Sequence, residues 1–320
     1  MENSINNFSK QFAFEPEIIN LEKFNNTKKS FVLGGMGGSH LAGGIFKIIN
    51  PEINLSIYRD YGLPKQSAEN QDATFYIASS HSGNTEEILD FADEAYSKGL
   101  DLIIITTGGK LLEFAEENKI PAIVLPNDGI QPRTALGYSL LALYKIILPD
   151  QVVDLQKLQN IIDSQKNVAQ AVDLAKTLQN KIPVIYTSSQ NRAIAYNWKI
   201  KFNETGKIPA FYNSFSELNH NEMQGYDFVS ENSALSEKFH FIFIHDAADD
   251  ERVEKRMKVT EQLYQDKGLP VTNLFLEGDS KIEQIFNSLL LADWTALELA
   301  KFYGTEPEKV PLIEKFKTLI

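Results

Sequence analysis

The sequence predicts an α/β protein built from two similar doubly wound halves, each a parallel sheet flanked by helices. Three observations predict it. Short apolar runs alternate with helix-periodic stretches along most of the chain. The run from Asp101 to Thr106 has the continuous apolar centre that a strand buried on both faces requires. The alternation breaks at Pro149-Asp150 and then restarts, so that positions 31–147 and 184–303 share an order of elements. The repeat lies in element order, not in visible sequence. The expected domains are 1–152 and 153–320.

In order, residues 1–29 read as a polar lead-in with weak helical character around Glu17–Phe24. Phe31–Leu33 is a strand, Leu41–Ile49 a helix and Leu55–Tyr58 a second strand, closed by the turn Tyr61-Gly62-Leu63-Pro64. Phe75–Ala78 feeds a helix that stops near Lys98-Gly99. Asp101–Thr106 is a strand, Leu111–Asn118 a helix, Ala122–Leu125 a strand, and Pro132–Ile147 a long helix. Leu155–Gln179 reads as one linking helix. The second half runs Val184–Thr187 (strand), a helix to about Glu204, Ile208–Tyr212 (extended) and Phe239–His245 (strand). It closes with Asp249–Asp266 (helix), Val271–Leu276 (strand) and Ile282–Tyr303 (helix).

Composition narrows the function. With 320 residues and 43% hydrophobic content the chain can bury a sizeable core. Cysteine is absent, which excludes disulfides and thiolate metal sites and makes a reducing cytoplasmic setting the expectation. No secretory signal or membrane-spanning run is read in the sequence. A net charge of −12 argues against nucleic acid and anionic membranes as partners. Such a protein must hold an anionic ligand with local donors, not with its overall field.

The chain is organised around residues 75–90. Ser79, Ser80, Ser82, Asn84 and Thr85 surround Gly83 where a strand feeds a helix. That turn aims free main-chain N–H groups and the positive end of a helix dipole at one point. Hydroxyl donors make the point a phosphate cradle, and no lysine is present to make it a nucleotide-triphosphate loop. The plainer alternative is a helix cap, for which one hydroxyl suffices. Gly34–Ser39 is a second strand-to-helix turn, where glycines let main chain approach a ligand. As a dinucleotide fingerprint it fails, because His40 stands where the third glycine belongs, although Asp60 keeps that alternative open.

Four further residues stand out. Arg133 follows Pro132 at a predicted helix start, where a cation opposes the dipole, so an anion or carboxylate would have to hold it unless it is solvated. Glu204 lies in the last turn of its helix, where the dipole disfavours a carboxylate and favours a base, or it is a surface glutamate. His220 sits in the long polar segment Asn213–Tyr226. Lys301 extends an apolar helix face, and a cation near a helix C-terminus also simply suits the dipole. No histidine pair has zinc spacing, and no metal is expected.

Taken together, Gly35-Met36-Gly37-Gly38-Ser39, Ser80-His81-Ser82-Gly83-Asn84-Thr85-Glu86-Glu87, Pro132-Arg133, Asn203-Glu204 and Glu217-Leu218-Asn219-His220-Asn221-Glu222 resemble the bifunctional phosphoglucose/phosphomannose isomerases. That family is a branch of the sugar isomerase (SIS) fold. The resemblance covers nearly the whole chain. It implies two SIS domains, the first with the phosphate loop and the second with the catalytic Glu and His. Gly37, Gly38, Ser39, Ser80, Ser82 and Thr85 would then bind the sugar phosphate. Glu204 would shuttle a proton between C1 and C2, Arg133 would stabilise the enediolate, and Lys301 would sit near the ring oxygen or hydroxyls. His220 would assist ring opening in the partner's site of a homodimer. The implied substrates are glucose 6-phosphate and mannose 6-phosphate, converted to fructose 6-phosphate without metal or organic cofactor. The rival from another class is a non-catalytic sugar-phosphate sensor of the same fold. Departures from the family pattern are His40 after Ser39, a loosely matching tail at Gly304–Pro311, and a second-half turn, Ser188–Asn191, without glycine.

Overall fold

The computed structural model describes residues 1–24 and 27–319, which divide into two compact units. The N-terminal unit is Asn6–Ile162; the C-terminal unit is Asp163–Ile320 together with Met1–Ile5. Asn25 and Asn26, within the predicted lead-in, lie outside the described residues.

The N-terminal unit carries six strands: β1 (Ile18–Ile19), β2 (Ser30–Gly35), β3 (Asn54–Tyr58), β4 (Thr74–Ser80), β5 (Leu102–Thr106) and β6 (Ala122–Val124). Their order is β1-β6-β5-β4-β2-β3, all parallel except β1, which runs antiparallel to β6. Both faces are covered. Val32, Tyr76, Ala78 and Ile104 pack against Ile88, Phe91, Ala92 and Ala95 of helix Glu86–Ser97 and Leu111 and Ala115 of helix Gly109–Asn118. The alternate residues Leu33, Phe75, Ile77 and Ile103 are buried as well. Withdrawing a ring such as Phe91 from water contributes roughly 2–3 kcal/mol.

The C-terminal unit carries β7 (Ile182–Ser188), β8 (Phe211–Phe215), β9 (Phe239–His245) and β10 (Val271–Phe275), all parallel, in the order β10-β9-β7-β8. One face is an aromatic cluster in which Tyr186, Phe215, Phe241 and Phe243 pack with Tyr264. The long helix Lys281–Tyr303 packs against helices Val168–Thr177 and Arg192–Glu204.

Apart from the weak helical character expected around Glu17–Phe24, where the chain instead forms the edge strand β1 (Ile18–Ile19) and a 3-10 turn at Leu21–Lys23, the predicted strands and helices are present, with shifted ends and three differences of substance. The single helix expected over Leu155–Gln179 is instead a helix at Val152–Gln156, a 3-10 turn at Lys157–Asn160 and a helix at Val168–Thr177. Between them Asp163 accepts the Gln165 N–H at 2.8 Å, and the Trp294 indole donates to the Ser164 carbonyl at 2.7 Å. Both bonds divert main-chain groups that a helix would use. The helix expected over Pro132–Ile147 starts only at Leu136, behind a 3-10 turn at Pro132–Thr134. The buried Gln11 amide fills the break, donating to the Thr134 carbonyl (2.8 Å) and accepting from Gly137 N–H (2.9 Å). The lead-in contributes to the core: Phe8 and Phe12 are buried in edge-to-face contact at 5.9 Å.

Candidate active site

In the N-terminal unit β2 has β3 on one side and β4 on the other, so the connections after β2 and β4 lead away in opposite directions. A crevice outside the carboxyl ends of two such strands is where open α/β sheets take ligands. The turn after β2 is Gly37–His40 and the turn after β4 is Ser80–Thr85.

These two turns are braced to each other. Ser39 Oγ accepts the His81 main-chain N–H at 2.9 Å, and Ser79 Oγ donates to the Ser39 carbonyl at 3.1 Å. Within the second turn Ser80 Oγ and Thr85 Oγ1 lie 2.9 Å apart, and Gly83 N–H donates to Ser80 Oγ at 3.1 Å. Asn84 N–H donates to Ser82 Oγ at 3.3 Å. The cap alternative fails for Thr85: it precedes helix Glu86–Ser97 but makes no side-chain capping bond. The first N–H groups of that helix have, by position, no partner within it. The Glu86 carboxylate accepts from the Tyr61 hydroxyl at 3.3 Å.

Two glycines are required by space. Gly83 has φ +68°, and a Cβ there would overlap the Gly108 carbonyl oxygen. A Cβ on Gly38 would lie 2.6 Å from the Pro132 carbonyl carbon and 2.7 Å from Arg133 N. That close approach sets the Pro132–Thr134 turn against the Gly37–His40 turn. Arg133 is only 1% exposed, which removes the alternative of a solvated arginine; its Nη1 lies 3.4 Å from Gln131 Oε1. The fold thus gathers Gly37, Gly38, Ser39, Ser80, Ser82, Thr85 and Arg133 at one end of one sheet.

His81, part of the sequence motif but given no role by it, lies where the two turns are braced to each other. Its carbonyl accepts from Thr107 Oγ1 at 2.6 Å and Thr107 N at 3.1 Å. Burial holds its imidazole below the ordinary range, against Asp128 and a hydrogen bond to the Ile130 carbonyl that favour its charge. A lone histidine carries no spacing signal, so only its place among the hydroxyls could have marked it. His40 is buried, and burial and then Arg59 push its pKa down to about 4, so it is neutral at pH 7.

In the C-terminal unit Glu204, His220 and Lys301 stand on three different elements. Glu204 is half-buried and ends helix Arg192–Glu204. One turn earlier Lys201 donates to both Asp293 oxygens at 2.7 Å, a buried pair tying this helix to Lys281–Tyr303. Gly206, two residues past the helix, does not supply the left-handed stop. The left-handed residue is Lys207 (φ 56°), whose ammonium donates to the Glu204 carbonyl and so satisfies the helix end. Gly206 serves close approach instead, since a Cβ there would lie 2.9 Å from the Phe202 carbonyl oxygen. His220 is exposed on the 3-10 turn Glu217–His220. Lys301 is exposed and pairs with Glu298 at 2.8 Å and Glu2 at 3.2 Å; the Glu298 hydrogen bond above all holds its ammonium above the ordinary range.

The C-terminal unit has its own reversal of strand order, between β7 and β9. There Asp246, 2% exposed, accepts from Asn191 Nδ2 at 2.8 Å, from Ala248 N–H at 3.0 Å and from the Lys281 ammonium. Asp249 accepts from Gln190 Nε2 at 2.5 Å. No helix among the described residues is long and apolar enough to cross a membrane.

Comparison with known proteins places this geometry. Residues 167–320 match the family model described as the bacterial phospho-glucose isomerase C-terminal SIS domain. The chain is 35% identical over 306 residues to a bifunctional phosphoglucose/phosphomannose isomerase of Caldicellulosiruptor bescii, covering 89% of this chain and 88% of that protein. It is 33% identical over 315 residues to the enzyme of that name from Thermoplasma volcanium, covering 95% and 98%. Among solved structures, glucosamine-6-phosphate deaminase of Thermotoga maritima superposes with a TM-score of 0.66 at 17% identity, covering 97% of this chain and 95% of that one, a likeness of fold. With that identity sustained along nearly its whole length, the chain belongs to the bifunctional phosphoglucose/phosphomannose isomerase family.

Proposed function

We propose that the protein is an aldose–ketose isomerase that interconverts glucose 6-phosphate and mannose 6-phosphate with fructose 6-phosphate. The observation that carries this reading is the family membership joined to a hydroxyl-rich turn at a strand-order reversal. Ser39, Ser80, Ser82 and Thr85, with the glycines at 37 and 38, hold the phosphate; this remote anchoring supplies energy that positions the reacting carbons. Glu204 takes the proton from C2 of the open-chain aldose, giving a cis-enediolate; the hydroxyl proton passes from O2 to O1, and Glu204 returns its proton to C1 as the C2 carbonyl forms. Arg133 stabilises the negative charge on the enediolate oxygens. C2 is planar in the intermediate, so both epimers give the same enediolate, and one base serves both given room for either position of the C2 hydrogen.

His220 assists opening of the sugar ring. Its exposure on a turn supports delivery to the site of a second copy of the chain. The ion pairs of Lys301 with Glu298 and Glu2 support a structural part for that residue. A coupled assay for fructose 6-phosphate from each hexose 6-phosphate tests the proposal. Glu204→Gln is expected to lower kcat by about 10²–10⁴-fold with KM little changed. Binding without turnover would leave a sensor, and full activity in the variant would remove the assigned base.

A further inference from the structure

His220 lies within Glu217-Leu218-Asn219-His220-Asn221-Glu222, two short 3-10 turns meeting at Asn221. Such turns have poor hydrogen-bond geometry of their own, so a side chain on one is held in place only if neighbouring residues are fastened to the fold. Here they are fastened on both sides. Leu218 is fully buried in the aromatic cluster. Asn219 Nδ2 donates to Thr260 Oγ1 at 2.9 Å, on helix Glu251–Asp266. Asn221 Nδ2 donates to Glu217 Oε1 at 2.6 Å and its Oδ1 accepts from Glu222 N–H at 2.5 Å.

Glu222 is the far anchor. One oxygen accepts from the Tyr186 hydroxyl and the other from Asn213 Nδ2 at 2.5 Å, so its carboxylate bridges β7 and β8. Tyr186 is fully buried on β7, with the Phe215 ring centroid 5.9 Å away and that of Phe243 at 5.6 Å. Its ring cannot move without disturbing a close-packed cluster. Burial above all pushes its phenol far above the usual range, so it remains a donor to the carboxylate. A half-buried carboxylate is a costly way to hold a loop unless both oxygens are satisfied in a fixed geometry. Those conditions are met here.

We infer that Glu222, fixed by Tyr186 and Asn213, is a positioning residue for His220. The inference rests on the proposed function, in which His220 assists ring opening. A group acting through His220 loses its effect once His220 is gone, whereas a group that only holds the fold does not. The experiment is therefore a cycle on the full chain: wild type, Glu222→Gln, His220→Ala and the double variant, each assayed for fructose 6-phosphate formation and for thermal midpoint. Glu222→Gln is expected to lower kcat about 10-fold with KM within about 2-fold, and to change kcat by less than about 2-fold in the His220→Ala background. Tyr186→Phe, which deletes only the hydroxyl, should lower kcat in the same direction and cancel in the same way, should Glu222→Gln fail to fold. Equal losses of kcat in both backgrounds, or an unchanged kcat in Glu222→Gln, would overturn the inference while leaving the isomerase reading intact. A wild-type protein without turnover would fell the functional reading and this inference together.

Discussion

The four strands β10-β9-β7-β8 repeat the relative order of β5-β4-β2-β3 in the larger sheet, and the two units fill the crevice at the reversal in opposite ways. In the N-terminal unit the turns after β2 and β4 present hydroxyls and main-chain N–H groups around Gly37 and Gly83. In the C-terminal unit the turn after β7, Ser188–Asn191, has no glycine, and its Gln190 and Asn191 side chains already donate to carboxylates of the turn after β9. Asn191 and Lys281 point at Asp246, and Gln190 at Asp249. The protein's own carboxylates stand where an anionic ligand would be bound. Doubly wound topology makes the crevice twice; side chains decide that one end offers hydroxyl donors and the other turns its amide and ammonium donors on its own carboxylates. Only the first is proposed as a phosphate site.

The largest effect expected from testing that contrast is at Gly83. Gly83→Ala places a methyl group against the Gly108 carbonyl and requires φ +68° of an L-residue, so the turn must rebuild. Catalytic efficiency on hexose 6-phosphates should fall by more than about 100-fold. Ser189→Gly, in the corresponding turn of the other unit, should leave it within about 2-fold. Steady-state kinetics on both variants check this; a similar loss in each would mean that the two crevices are not distinct in function.

The next effect is on stability and its pH dependence. Burial opposes the charge of Asp246, but the bonds from Lys281, Ala248 and Asn191 outweigh it and hold its carboxyl below the ordinary value of 3.8. A depressed folded-state pKa contributes stability that is present above the unfolded value and lost as pH falls through the folded one. Asp246→Asn should therefore cost about 2 kcal/mol at pH 7, with the gap to wild type closing as pH falls below about 4. Asp249 works with the opposite sign, because burial raises its pKa and the fold favours its protonated form. Urea unfolding midpoints across pH 3–7 measure the gap; one that widened on acidification would contradict the role given to Asp246.

What the sequence made legible follows from how local each signal is. The alternation of strands and helices is written in periodicity over ten or so residues, and the Ser80–Thr85 turn lies in one contiguous stretch. The features that escaped notice depend on distant partners. The break before Leu136 is made by Gln11, more than a hundred residues earlier, and the break before Val168 by Trp294. Phe8 and Phe12 sit in a 3-10 turn without the 3.6-residue period, so nothing marked them as core. Arg133 looked like a solvated or ligand-held cation at a helix start until Gly38 and the turn around it buried it. The self-filled crevice was least legible, since Asp246 and Lys281 come from segments with no shared pattern.

The smallest predicted effect compares single hydroxyls at the two crevices. Ser80 Oγ and Thr85 Oγ1 bond each other and remain hydroxyls able to turn a donor outward. Ser188 Oγ instead accepts from the buried Asn191 amide at 3.0 Å, within the network that satisfies Asp246. Thr85→Val keeps the shape of the side chain and removes only the donor, so it should weaken hexose 6-phosphate binding about 10-fold, the worth of one hydrogen bond to a charged group. Ser188→Ala should change affinity by less than about 2-fold. Calorimetric titration of each variant with glucose 6-phosphate separates the cases. Equal weakening would mean that the second crevice also meets the ligand, and the carboxylates that fill it would then have to move aside on binding.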